Sequence, residues 1–269
     1  MVLYRRANYV KSLLFFIIIR KNVRNLNLYS KIMDGILLID KDAGCTSYDV
    51  IRRIKRLFKG EKIGHTGTLD PIATGLLILC VGKATKLSSS IMNLEKAYVA
   101  KVKFGAVSDT LDADGTIRVC KENCSIDAEL LRNVFKNYIG EIEQIPPMYS
   151  AKKVKGKKLY QYARKGLSIE RKPISVKISE ITLLQCSKDE AEFRVRISKG
   201  GYVRVLCDDI GRDIGCGGYM LSLRRTRIGC FDVKDAIGVE QLLKLENPFL
   251  YLIDITRVNE YLERIHTWI

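Results

Sequence analysis

The chain has 269 residues, with 46 Lys and Arg against 30 Asp and Glu, a formal net charge of +16 and 47% hydrophobic residues. That composition excludes a disordered tail, a collagen and a short disulfide-stapled peptide, and the length suits one large domain with at most a small appendage. The positive excess points to a polyanionic partner, nucleic acid or an anionic membrane surface, rather than a neutral metabolite.

Residues 1–32 hold seven basic residues and no acidic one, with an eight-residue apolar run from Ser12 to Ile19. A bilayer-spanning helix needs about 20 apolar residues, and no small-residue cleavage site follows the run. The leader reads as an organellar transit peptide or, the favoured reading, as upstream sequence translated from a misplaced start, because Met33 directly precedes the first well-formed strand. It is set aside from the fold. Gly35–Asp40 is an apolar run expected to form a buried strand. A turn from Lys41 follows, with Ser47 expected to cap a helix over Tyr48–Phe58 that Lys59-Gly60 ends. Then come a glycine-punctuated loop, Gly64–Pro71, a strand Gly75–Val81, a helix around Ala84–Asn93 and an alternating strand Tyr98–Phe104.

Ser125 is expected to begin an amphipathic helix carrying Leu130, Leu131, Val134, Phe135 and Tyr138, with Gly140 as its stop. Residues 146–175 carry nine basic residues against the single acid Glu170, an insertion with Tyr149, Tyr160 and Tyr162 interleaved. Such a segment suits phosphate backbone binding. Strands near Val176–Leu184 and Ala191–Ser198, a helix around Tyr202–Ile214 and a strand Met220–Ile228 follow, and the end reads as one or two short helices. Outside the leader and the insertion the remaining 207 residues carry a net charge of only +1. There is no repeat and no low-complexity linker. The eight cysteines include no Cys-x-x-Cys pair and the only histidines are His65 and His266. Reduced cysteines in a cytosolic protein are therefore expected, with no metal site.

The segment Gly64-His65-Thr66-Gly67-Thr68-Leu69-Asp70-Pro71-Ile72-Ala73-Thr74-Gly75 carries the chemistry. It lacks the Gly-Lys-Ser/Thr of a P-loop and any dinucleotide fingerprint. Its physical character is a tight turn that displays a carboxylate between glycines and the φ-fixed Pro71. The segment resembles the catalytic motif of bacterial-type tRNA pseudouridine-55 synthases, the TruB family. Further blocks follow in order: Lys41-x-x-Gly44-x-Thr46-Ser47, Lys96-Ala97-Tyr98, Asp109–Gly115, the thumb from Gln144 to Arg164, Ser198–Arg204 with Asp209-Ile210-Gly211, and Leu223-Arg224-Arg225-Thr226. They cover roughly residues 33–231.

The resemblance implies an α+β fold, a mixed and largely antiparallel sheet of the pseudouridine synthase kind with flanking helices. The implied domains are a catalytic domain over 33–231, with a basic thumb at 146–175, and a short helical extension over 232–269. It implies isomerisation of uridine 55 in the tRNA T-loop by base flipping, with Asp70 as the nucleophile of a covalent intermediate. Arg204 would keep that carboxylate ionised and oriented, and Tyr98 would stack on the flipped base and abstract a proton. His65, Lys41, Asp112, Lys152, Lys153, Tyr202 and Leu223 are the implied substrate and RNA contacts. His65 would fill the vacated stack and Leu223 would form an apolar wall. No cofactor, metal, membrane or obligatory protein partner is implied, and a cytoplasmic monomer acting on the tRNA T-arm is expected. Two departures stand out. Ile197 and Gly201 occupy positions where the family usually has Cys and Thr, and only 38 residues follow Phe231, too few for a full PUA domain. Two other readings remain: a guide-RNA-dependent subunit of the dyskerin kind, and a tRNA-folding factor without catalysis. A penicillin-binding type acyl-enzyme, suggested by Ser150-Ala-Lys-Lys153, is dismissed because the companion motifs are absent.

Overall fold

The computed structural model describes residues 34–122, 124–154 and 156–266, with side chains up to Glu263. The leader, residues 1–32, lies outside the described residues. Alternation and apolar runs become one mixed sheet of eleven strands among the described residues. Along the sheet lie β1 (Gly35–Lys41), β3 (Thr74–Val81), β12 (Gly218–Ile228), β4 (Lys96–Phe104), β11 (Glu190–Ile197), β10 (Ile174–Cys186) and β7 (Gly140–Gln144). Short β14 (Ile237–Gly238) and β15 (Ile253–Asp254) pair with β1, β2 (Ile63–His65) with β3, and β13 (Phe231–Asp232) with β12. Only the β1–β14 and β3–β12 pairings are parallel; the rest are antiparallel, so the expected sheet class is observed.

β1 and β3 read as unbroken apolar runs because both faces are covered. Ile36, Leu38, Leu76, Ile78 and Cys80 pack on one face with Ile91, Ile228, Val258 and Leu262. Ile91 comes from α2 (Ser88–Asn93), while Val258 and Leu262 come from α7 (Ile255–His266). The segment after Phe231 thus contains more than helices. It threads two short strands beside β1 and, with α6 (Val239–Lys244), packs α7 on the sheet. Two small hairpins stand off the sheet, β5 (Ala106–Ser108) with β6 (Ile117–Val119), and β8 (Lys153–Val154) with β9 (Lys157–Lys158).

Several local expectations are corrected. The first helix, α1 (Ser47–Ile54), continues only as a 3-10 turn over Lys55–Leu57, and its cap is Thr46 rather than Ser47. Thr46 Oγ1 accepts the Asp49 N–H at 3.1 Å and Asp49 Oδ2 accepts the Thr46 N–H at 3.0 Å, a reciprocal capping box. The helix expected from Ser125 is α3 (Ala128–Lys136), capped by Asp127, whose Oδ1 accepts the N–H groups of Glu129 and Leu130, each at 2.8 Å. Asp127 wins because a carboxylate reaches both orphan amides at once. Leu131 and Phe135 are buried whereas Leu130 is exposed, and Gly140 opens β7 instead of merely stopping a helix. The cysteines are not all reduced. Cys124 and Cys216, 92 residues apart in sequence, form a disulfide with Cα atoms 6.2 Å apart. Cys124 follows the β5–β6 hairpin and Cys216 lies in the turn before β12, two segments joined nearby where Gly105 N–H donates to Gly217 O and Cys120 N–H to Gly105 O. No helix among the described residues is long and apolar enough to cross a membrane.

Candidate active site and nucleic-acid interface

The Asp70 loop is fastened at both ends by residues that precede it. Ser47, released from capping, accepts the Leu69 N–H at 2.9 Å and donates to Leu69 O at 3.2 Å. Gly44 N–H donates to Pro71 O at 2.9 Å. Lys41 is fully enclosed, and its ammonium donates to Ala73 O at 2.7 Å, Asp42 O at 2.9 Å and Pro71 O at 3.4 Å. Expected among RNA contacts, Lys41 instead holds the loop from below, because its charge is used on three carbonyls inside the protein. At the loop's far end, Gly75 adopts φ +100° and lies against the backbone of Arg225, where any Cβ would collide.

Arg204 stands in the first turn of α5 (Val203–Ile214), 5% exposed. Its Nη1 lies 2.8 Å from Asp70 Oδ2 and 3.1 Å from Asp112 Oδ2, and its Nη2 donates to Tyr149 O at 2.6 Å. One guanidinium therefore joins the loop, the β5–β6 hairpin and the base of the thumb. Asp112, also expected to face RNA, is 3% exposed and engages Arg204 and Thr110 Oγ1, the latter at 2.6 Å. It orients the arginine from within. Asp70 keeps 36% of its side chain exposed. Burial pushes its carboxyl above the usual carboxylate range, Arg204 and Lys41 pull it back, and Asp112 and Asp114 add to the rise. The net shift is upward, so desolvation outweighs the arginine that was expected to keep the carboxylate ionised.

Asp70, Tyr98, Lys152, Tyr202, Arg204 and Leu223 line one cleft of about 630 Å³, together with Lys96 and Arg225. Tyr98 and Leu223 sit on adjacent strands β4 and β12 and are nearly buried. Tyr202 immediately precedes α5, its backbone clamped by Gln144, which accepts its N–H at 2.9 Å and donates to its carbonyl at 3.2 Å. Burial pushes the Tyr202 hydroxyl up, opposed by Ser150 and Arg204. His65 ends β2. Its Nδ1 accepts the Gly67 N–H at 3.3 Å, so the neutral ring carries its proton on Nε2. Burial, with Arg225 and Lys158, holds the imidazole below its ordinary value, which favours that neutral form.

Lys153 is exposed on the β8–β9 hairpin, paired in register with Lys158. After it, α4 (Leu159–Ala163) sinks Leu159 into the protein. Tyr160 lies between Lys158 and Arg164, whose charged groups are 5.7 and 5.4 Å from its ring centre. Tyr162 donates its hydroxyl to Val154 O at 3.4 Å. Two of the three interleaved tyrosines thus organise the thumb.

Arg225, Lys96 and Gln144 were not singled out from the sequence. Arg225 is 2% exposed and donates to Leu76 O at 2.7 Å and Gly67 O at 3.1 Å, tying the loop to β12 and β3. Strand periodicity places it on the same face as Leu223, a usable signal, whereas Arg224 turns away to Asp40, at 3.0 and 2.7 Å. Among the described residues no three His, Cys, Asp or Glu side chains gather as a metal site.

Residues 55–203 match the model of the TruB family pseudouridylate synthase N-terminal domain, and residues 204–254 that of the tRNA pseudouridylate synthase B C-terminal domain. The boundary between the two falls inside α5, immediately before Arg204. The tRNA pseudouridine synthase B of Aquifex aeolicus is 47% identical over 225 residues, covering 83% of this chain and 78% of that protein. That of Bordetella avium is 43% identical, covering 84% and 93%. Among solved structures, a Cbf5-Nop10-Gar1 complex matches with a TM-score of 0.68 and 27% identity, over 87% of this chain and 64% of that one.

Proposed function

The chain belongs to the TruB family of pseudouridylate synthases and is a tRNA pseudouridine synthase, an isomerase, and on that premise we propose that it converts uridine 55 of the tRNA T-loop to pseudouridine. The observation that carries the proposal is the Arg204–Asp70 contact at 2.8 Å on the floor of a cleft that Tyr98, Tyr202 and Leu223 line. The reaction exchanges the C1′–N1 bond for a C1′–C5 bond; the C5 proton leaves and N1 acquires one, so no redox equivalent or external group is consumed. Asp70 as carboxylate is the nucleophile and forms the covalent adduct that lets the uracil detach and turn. Arg204 orients it, with Asp112 and the Tyr149 carbonyl fixing the guanidinium.

Such chemistry requires the base to leave its stack. Leu223 and the faces of Tyr98 and Tyr202 replace the lost stacking, Tyr98 takes the C5 proton, and neutral His65 fills the vacated position. Lys152 and Lys153 contact the RNA backbone from the thumb. The protein acts on the T-arm as a cytoplasmic monomer in this reading.

Asp70→Asn is expected to abolish isomerisation while tRNA binding persists, measured by mapping pseudouridine in an initially unmodified tRNA and by a binding titration. Retained turnover would sink the assignment of the nucleophile. A guide-RNA-dependent subunit is the second reading, favoured by the backbone match to a Cbf5-containing complex. Its identity of 27% falls well below the 47% shared with a tRNA enzyme. Turnover on a bare T-arm with no guide RNA decides between them.

A further inference from the structure

Outside leader and thumb the charge nearly cancels, but the cancellation is not local. Residues 48–62 hold six basic and two acidic residues, while acidic residues concentrate in the β5–β6 hairpin (Asp109, Asp112, Asp114) and in α5 (Asp208, Asp209, Asp213). Within 48–62, two basic residues have partners: Arg52 pairs with Asp49, and Arg53 with Glu240. Lys55, Arg56, Lys59 and Lys62 are exposed, with no carboxylate in ion-pair range among the described residues. Tyr48 at the start of the same segment is 70% exposed.

Like charges three and four residues apart destabilise a helical segment, and an aromatic ring left in water gains nothing from packing. Both features suit a surface that meets a polyanion carrying flat rings. The segment is also bound to the cleft at both ends. Ser47, immediately before Tyr48, bonds Leu69 of the Asp70 loop, and Lys62 leads into β2 and its terminal His65.

We infer that Tyr48, Lys55, Arg56, Lys59 and Lys62 form a second RNA-gripping ridge on the catalytic body, which binds the phosphate backbone of the substrate tRNA beyond the flipped nucleotide. From Tyr48 to the end of the 3-10 turn at Leu57 the segment rises about 15 Å at α and 3-10 spacings, with Lys59 two residues further on, enough to follow two or three successive phosphates. This assignment rests on the reading of the chain as a tRNA-modifying enzyme.

The test is the salt dependence of tRNA binding by the full chain. Each phosphate contact contributes about 0.7–0.9 to the slope of log K against log salt. K55Q/R56Q/K59Q should lower the slope by about two to three and weaken binding most at low salt. R118Q/K121Q/K188Q, which neutralises exposed cations beside the acidic hairpin, should leave the slope in place. Tyr48→Ala should weaken binding with the slope unchanged, and Tyr48→Phe should restore it. Wild-type binding with the same affinity and slope in K55Q/R56Q/K59Q would overturn the ridge while leaving the proposed activity standing. Loss of binding to phosphatidylglycerol vesicles with tRNA binding intact would reassign the patch to a membrane and overturn it too. Failure of the wild-type chain to bind tRNA at all would remove both readings.

Discussion

Lys96 shows how much a single charge depends on its surroundings. In sequence it is the lysine two residues before Tyr98; in the structure it is 6% exposed and caps the end of α2 through the carbonyls of Met92 and Leu94. Burial, with Arg225 and Lys199 beside it, brings its ammonium down to about 8. An unfolded lysine keeps the ordinary value of 10.5. The stability this group contributes is therefore full above 10.5 and lost as pH falls through about 8, and over that interval the cleft loses a positive charge as pH rises. tRNA affinity measured on either side of about pH 8 should fall on the alkaline side in the wild type and vary less in Lys96→Met. An equal alkaline loss in that variant would show that Lys96 is not the titrating group. The motif contains this lysine, but its place in the cleft and its titration followed only from its surroundings in the fold. Lys41 and Asp112 teach the same lesson, since the motifs that contain them were legible but their inward orientation was not.

At the scale of elements, the two departures in the arginine block answer one another. A Cβ on Gly201 would fall on the Cδ1 and Cγ1 atoms of Ile197, which is itself buried at the end of β11. Ile197 occupies space that a side chain at 201 would need, so a larger residue at one position accompanies the absence of a side chain at the other. Together the two residues conserve volume. Gly201→Thr alone should destabilise the protein by about 1–3 kcal/mol through overpacking. Adding Ile197→Cys should recover much of that cost, visible as a coupling energy in a double-mutant cycle of denaturant midpoints. Additive effects would refute the compensation. The helix boundaries missed at Ser47 and Ser125 have a similar origin: several side chains compete to cap a turn, and the winner depends on which of them is needed elsewhere. Ser47 is engaged by Leu69, a contact across 22 residues.

Over the whole molecule, charge is unevenly placed, and the proposed RNA contacts follow it. Lys153 and Lys158 sit side by side on the β8–β9 hairpin, which continues into α4 and its buried Leu159. Neutralising Lys152, Lys153, Lys157 and Lys158 is expected to weaken tRNA binding and flatten its salt slope by about 0.7–0.9 for each lost phosphate contact. An unchanged slope would show that the thumb is not a clamp. Combined with the ridge variant, the losses in salt slope should add, because the two sets of cations are proposed to neutralise different phosphates. The sequence by itself determined the order of the blocks, the identity of the loop that displays Asp70 and the basic stretch at 146–175, since strand alternation, glycine and proline turns and local charge are properties of neighbouring residues, while the largely antiparallel sheet followed from the family resemblance. Only the tertiary structure decided that Lys41, Asp112 and Arg225 support the loop from inside and that Cys124 meets Cys216. Those facts rest on contacts between segments tens to more than a hundred residues apart, where burial and proximity, absent from any local pattern, set what each side chain does.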